Sequence, residues 1–262
     1  MKYANRKHVE QAGFDGVKFD DDRARVLSSF WLYLDPQDEG FTPCAKRDGY
    51  WEAWITYWMT NNVEPGDVCI DIGANHGYYS MLLASCGCEV IAVEPQEHLC
   101  ELIKRSAKAN KFDVRVDRNV ISDSNDPLQL VVPIHHGMNA TVASQNSYAP
   151  YGDIKMMVPS LKLDNYCDGN KYSFIKIDAE GAEELIWSGG AEFRKQNPDC
   201  LYLMEWRWDR FENPERFGSL LLDTMNVTSV NYDGNEDPIK RIEELKIREH
   251  EDWMLALRRK SE

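Results

Sequence analysis

The chain changes its hydrophobic period several times, and each change marks an element. Val68, Cys69 and Ile70 form one short apolar run, suited to a buried strand, and Asp71 ends it. The pattern predicts strand 67–72, helix 76–86, strand 88–93, helix 96–109 and strand 112–116. Strand, helix and strand with short links imply a parallel sheet with helices on both faces. Residues 119–163 depart from this rhythm. Short β-prone runs at 128–132 and 155–161 surround a polar loop at 135–153, which is long for a compact domain and reads as a candidate lid. The alternation then resumes with strand 173–178, helix 181–190, strand 200–206 and a helix near 214–225. A hairpin-like pair near 227–232 and 252–258, with a charged linker between, completes the chain. Upstream, residues 1–62 are aromatic-rich without a clean strand pattern. Trp51, Trp54, Ile55 and Trp58 stand near helical spacing and predict a helix packed on the core. The pattern divides the chain into an N-terminal, mainly helical extension (1–62) and an α/β domain (63–262).

Composition narrows the partners. A chain of 262 residues, 43% hydrophobic, accommodates one α/β domain plus the extension. A formal net charge of −14 argues against a nucleic-acid backbone or an anionic membrane as the main partner, since both select clustered Lys and Arg. The basic stretch 101–118 reads as a solvated helix face and a strand end. Seven scattered cysteines, with Cys86 and Cys88 closer than a zinc pair, point to free thiols in a reducing compartment. No apolar leader and no stretch of about 18 apolar residues is present, so a soluble cytoplasmic protein is expected.

The candidate chemistry begins where the first strand of the domain breaks. Asp71, Gly73, Asn75 and Gly77 follow one another at every second position. A strand that turns through a Gly-rich loop into a helix cradles a nucleotide-like cofactor. The interval is wrong for the dinucleotide fingerprint, and the Lys-Ser/Thr ending of a phosphate loop is missing. An acidic Asp71 would also repel a diphosphate. A ligand with an amino-acid head fits better, because its ammonium pairs with a carboxylate and its carboxylate meets backbone N–H groups. Glu94 ends the second strand, 94 − 71 = 23 residues on, where a carboxylate meets ribose hydroxyls. S-adenosylmethionine carries such a head, a ribose and a base. In Phe174 to Glu183, strand alternation puts Ile175 and Ile177 on one face and Lys176 and Asp178 on the other. Lys176, Asp178 and Glu180 then meet at the carboxyl edge, either as an ion-pair network or as the holder of a substrate hydroxyl.

These segments, together with Leu161 to Asp164, resemble the FkbM-type methyltransferases, a family of class I S-adenosylmethionine-dependent enzymes. The resemblance covers roughly residues 50–206. It implies a seven-stranded Rossmann-like sheet whose last strand, residues 252–258, is antiparallel. It also implies that Asp71, Gly73, Asn75 and Gly77, with Tyr78 adjoining, line the cofactor, that Glu94 and Pro95 meet the ribose, and that Asn119 to Ser122, Val120 among them, flank the adenine. The family mostly methylates hydroxyl oxygens on sugars or secondary metabolites, so a small-molecule or glycan acceptor is expected.

A hydroxyl loses its proton on methylation, and Asp178 or Glu180 is the expected base, with Lys176 fixing the carboxylate and Asp178 also near the cofactor. His76, His135 and His136 are competing bases. No dedicated metal site is expected, although Asp178, Glu180 and Glu205 are the residues a metal-assisted variant would use. Rival readings are a dehydrogenase, disfavoured by the loop spacing, and a non-catalytic cofactor-binding module. Tyr148, Tyr151, Trp206 and Trp208 are candidates to stack on a sugar ring, whereas Tyr79 and Trp187 read as packing.

Overall fold

A computed structural model describes residues 19–20, 22–133, 140–142 and 154–260. His135, His136, Tyr148 and Tyr151, and most of the loop expected at 135–153, lie outside these residues.

The described chain opens with three antiparallel strands, β1 (Phe19–Asp20), β2 (Arg23–Val26) and β3 (Phe30–Tyr33). This small sheet was not expected in the extension; two helices follow it. The alternation exists, but its outward positions are hard to recognise as polar. Ala24, Val26, Phe30 and Leu32 point inward, while Trp31 and Tyr33 occupy the outer face. There Arg23 from the neighbouring strand lies 4.5 Å from the Trp31 ring centroid, so aromatic and cation cover each other. Helix α1 (Phe41–Asp48) ends at Gly49, and α2 (Ala53–Asn62) holds Trp54, Ile55 and Trp58 of the expected helix but leaves Trp51 before its start. Ile55, Trp58 and Met59 form its buried stripe.

The central elements follow the expected order: β4 (Val68–Ile72), α3 (Tyr78–Ser85), β5 (Glu89–Val93), α4 (Glu97–Asn110) and β6 (Val114–Asp117). Along the basic stretch the cations pair with acids near the surface, as Arg105 does with Asp22 at 2.6 Å and Arg118 with Glu97 at 2.8 Å. Residues 119–163 build two small sheets. In one, β7 (Val120–Ser122) lies parallel to β11 (Ser160–Lys162). In the other, β8 (Leu128–Val132) is flanked by β9 (Thr141–Val142) and β10 (Ile154–Val158). The chain returns through β12 (Phe174–Ile177), α5 (Glu183–Ser188), α6 (Ala191–Gln196) and β13 (Leu201–Trp206). Helix α7 (Pro214–Thr224) starts where Asn213 accepts the Arg216 N–H at 3.0 Å, with Pro in the first turn where no N–H is needed. Strands β14 (Met225–Val230), β15 (Glu236–Ile239) and β16 (Trp253–Arg259), with α8 (Ile242–Leu245), complete the fold.

The main sheet runs β15-β14-β16-β13-β12-β4-β5-β6. Strands β13, β12, β4, β5 and β6 are mutually parallel, and β16 is antiparallel to both neighbours. The architecture is that of a class I methyltransferase, with eight strands instead of the expected seven. The extra strand is β15, Glu-Asp-Pro-Ile, inside the charged linker. It has little apolar signal, and its Pro238 is tolerated because the strand is an edge.

The strand period sorts the two layers. Cys69 and Phe174 face one apolar cluster, which also receives the N-terminal strands and helices. Ile70, Ile72, Ile175 and Ile177 face the other. Asp71 and Lys176 therefore share the first face, and they are register partners on adjacent strands.

Candidate active site

Five residues carry the chain from β4 into α3, and every second one is left-handed: Gly73 at φ +77°, Asn75 at +51° and Gly77 at +82°. Asn is among the non-glycine residues that enter this region most readily, which accounts for its place between two glycines. A Cβ at Gly73 would stand 1.8 Å from the Asp178 carbonyl oxygen, so only glycine lets the ends of β4 and β12 come this close. Gly73 and Ala74 both donate to the Val93 carbonyl at 3.0 Å. The Glu94 carboxylate then ties the loop down, accepting the Asn75 N–H at 2.9 Å and the Gln96 N–H at 2.9 Å. Burial pushes Glu94 up to about 7, against the pull of those two donors.

Above this edge lies a cavity of about 520 Å³, within the range of ~300–1,000 Å³ typical of small-ligand clefts. Gly73, Asn75, Glu94, Pro95, Asn119 and Val120 line one end, backed by Ile121 and Leu130. Tyr78 also reaches the wall, its hydroxyl 2.8 Å from Thr56 Oγ1.

The opposite end is charged. The Lys176 ammonium, almost wholly buried, lies 2.9 Å from Asp178 Oδ2 and 3.7 Å from Asp71 Oδ1. Burial alone would lower its proton affinity. The two carboxylates outweigh that and hold it above its ordinary value. Asp71 Oδ2 also accepts the Ser80 hydroxyl at 2.6 Å. Arg210 gathers Glu180 at 2.9 Å, Glu205 at 2.5 Å and Asp252 at 3.0 Å. Glu180 is itself left-handed, at φ +53°, and burial pushes it to about 7 although Arg210 opposes the shift. Glu183 turns back beneath this segment to accept the Ala179 N–H at 2.9 Å, which fixes the turn after β12.

A family model described as the methyltransferase FkbM domain matches residues 71–254. The chain belongs to the FkbM methyltransferase family. No curated protein matches it in sequence. Among solved structures it is similar to a TehB-like S-adenosylmethionine-dependent methyltransferase from Corynebacterium glutamicum, at 10% identity and a TM-score of 0.49, covering 84% of this chain and 93% of that one. It is also similar to a precorrin-6y C5,15-methyltransferase from Geobacter metallireducens, at 11% identity and a TM-score of 0.41, covering 80% and 88%.

S-adenosylmethionine is the methyl donor of this FkbM-family chain, and the cavity suits it. The buried Glu94 carboxylate lines the cavity beside its two backbone contacts, and a carboxylate has the acceptor capacity to meet a diol there. Apolar Val120, Ile121 and Leu130 offer a seat for a base, and the Gly73–Asn75 backbone is open to close approach.

Of the residues expected to touch the donor, Gly73, Asn75, Tyr78, Glu94, Pro95, Asn119, Val120 and Asp178 stand on the wall, and so do Lys176 and Glu180. Two do not. Asp71 is fully buried behind the wall, because its position on β4 faces the layer covered by α3, where it accepts the Ser80 hydroxyl. Gly77 serves packing: a Cβ there would meet Ile103 Cγ1 at 2.8 Å. Trp206 is also corrected. It is fully buried against Phe211 and Phe217, and its indole donates to the Leu245 carbonyl. Trp208 is off the cavity wall, and Trp187 is core. Tyr79, expected as packing, lines the cavity and carries the Lys176 ammonium 4.9 Å from its ring centroid. His76 lines it too, but stacks on Phe41, and burial lowers it to about 4, so it is a weak base. Glu52, Arg210 and Asp252 escaped sequence reading. No motif holds them, and only tertiary packing brings them together.

Proposed function

We propose that the enzyme methylates a hydroxyl oxygen of a small polyhydroxylated acceptor, such as a sugar or a glycan end. One observation carries this reading: the charged end of the cavity sets Asp178, Glu180 and Glu205 beside Lys176 and Arg210, so that acceptors and donors alternate around one space. Hydroxyl groups both donate and accept, and such a wall matches them. The net charge of −14 supports a small acceptor over a nucleic acid. When bound, the donor supplies a methyl group on a sulfonium, whose C–S electron pair stays on sulfur as the methyl leaves. The chain's own residues hold the acceptor, exclude water and take the proton. Asp178 and Glu180 accept hydroxyl protons as hydrogen bonds, and Lys176 and Arg210 keep those carboxylates in place.

The test is incubation with methyl-labelled donor and a panel of sugars and polyols, with products read by mass and NMR. A methyl ether is expected. Label found on nitrogen or carbon, or transferred to nothing in the panel, overturns the reading. A metal-assisted variant is favoured by the convergence of Asp178, Glu180 and Glu205, whose oxygens lie within 4.8 Å of one another. Because Lys176 and Arg210 already neutralise these groups, transfer should persist in EDTA; its loss, restored by Mg²⁺, would establish the variant.

A further inference from the structure

Glu52 precedes the matched segment and belongs to no motif, yet it lines the charged end of the cavity. Its backbone is left-handed, at φ 38° and ψ 71°, a strained conformation for a residue that lacks the short amide of Asn. It occupies the N-cap of α2, yet its side chain makes no cap bond there. The carboxylate turns to the cavity instead, where Oε2 accepts the Tyr79 hydroxyl at 2.5 Å. Every other carboxylate at this end touches a cation: Asp178 touches Lys176, and Glu180, Glu205 and Asp252 touch Arg210. Protonating any of them weakens the pairs that hold Lys176 or Arg210. Among the described residues Glu52 forms no ion pair, so it can take a proton without that loss.

We propose that Glu52 is the general base of methyl transfer, removing the acceptor hydroxyl proton as the oxygen bonds to the methyl carbon. The proposal rests on the hydroxyl reading above. The O–H bond breaks, its proton goes to Glu52 and its electron pair to the new O–C bond. The charge balances, because the sulfonium becomes a neutral thioether. Burial raises the proton affinity of Glu52, and the negative charges of Asp178 and Asp252 add to it. The Tyr79 bond and the Lys176 charge oppose them. Tyr78, a neutral phenol whose own proton affinity Glu52 raises, is the other titratable group close by on α3. Tyr79 is thus a positioning residue for the base.

Four readouts test this. Glu52→Gln should lower kcat by about 10²–10⁴-fold on an acceptor that gives a methyl ether with wild type, and leave donor affinity by calorimetry unchanged. Carbon-13 NMR of labelled glutamate in the ligand-free protein should show Glu52 titrating above the ordinary carboxylate range. Tyr79→Phe should move that titration, and the acid limb of kcat/KM, to higher pH. Glu52→Gly, which removes the base while suiting the left-handed backbone, should fold and be inactive. Full kcat in Glu52→Gln, a donor affinity that falls as far as kcat, or an ordinary titration that Tyr79→Phe leaves unmoved would each overturn the proposal and leave the hydroxyl reading intact. A wild type that forms no methyl ether overturns both.

Discussion

The two ends of the cavity are built by opposite means. The donor end centres on neighbours in sequence: the loop at Gly73 to Asn75 and a carboxylate just past the next strand, held to that loop by the Asn75 N–H, with Asn119 to Ile121 and Leu130 closing it from farther along the chain. The charged end collects Glu52, Lys176, the pair Glu205 and Arg210, and Asp252 from four separate stretches and holds them by ion pairs and one phenol. A donor that is the same throughout a family suits a compact local device. The charged end instead draws on strand positions, Lys176 on β12 and Glu205 on β13, together with residues outside the sheet.

Gly73 joins the two ends, and its replacement should break both. Gly73→Val would drive a side chain into the Asp178 carbonyl at a left-handed position. A loss of more than about 4 kcal/mol is expected, read by denaturant unfolding. Next in size, Lys176→Met leaves Asp71 buried without its cation and should cost about 3–5 kcal/mol. Adding Asp71→Asn should recover part of that, which would separate a charge effect from lost packing. Glu94→Ala should weaken donor binding ~10–100-fold, the worth of hydrogen bonds to a charged group, without the loss of stability expected for Gly73→Val. The pH dependence sharpens this prediction. Glu94 is ionised above about 7 and protonated below it, so wild-type affinity should fall as pH drops through 7, and the Glu94→Ala titration should be flat. The smallest effect belongs to Trp208→Ala. Because Trp208 lies off the wall, acceptor KM measured by initial rates should not change.

The contrast also explains what the sequence revealed. The interval of Gly73, Asn75 and Gly77 was readable because alternate left-handed residues leave a compositional trace. The faces of Ile175, Lys176 and Ile177 followed from the strand period alone. Asp71 misled because a carboxylate beside a Gly-rich turn reads as a ligand contact, whereas its strand face turns it toward Ser80 and Lys176. β15 was hidden because an edge strand needs little apolar side chain, and the β2–β3 pair because Trp and Tyr filled its outer positions. Glu52 left no trace at all. Neither its left-handed backbone nor its bond to Tyr79 has a signature in residue type or spacing.

The facing of Lys176 and Asp71 across adjacent strands has a consequence for how the molecule assembles. A slip of β12 by one residue against β4 would swing the ammonium among Ile70, Ile72 and the other aliphatic side chains of the opposite layer, far from any countercharge. The buried pair therefore acts as an alignment key, rejecting the near-miss pairings that a stack of interchangeable isoleucines would otherwise tolerate.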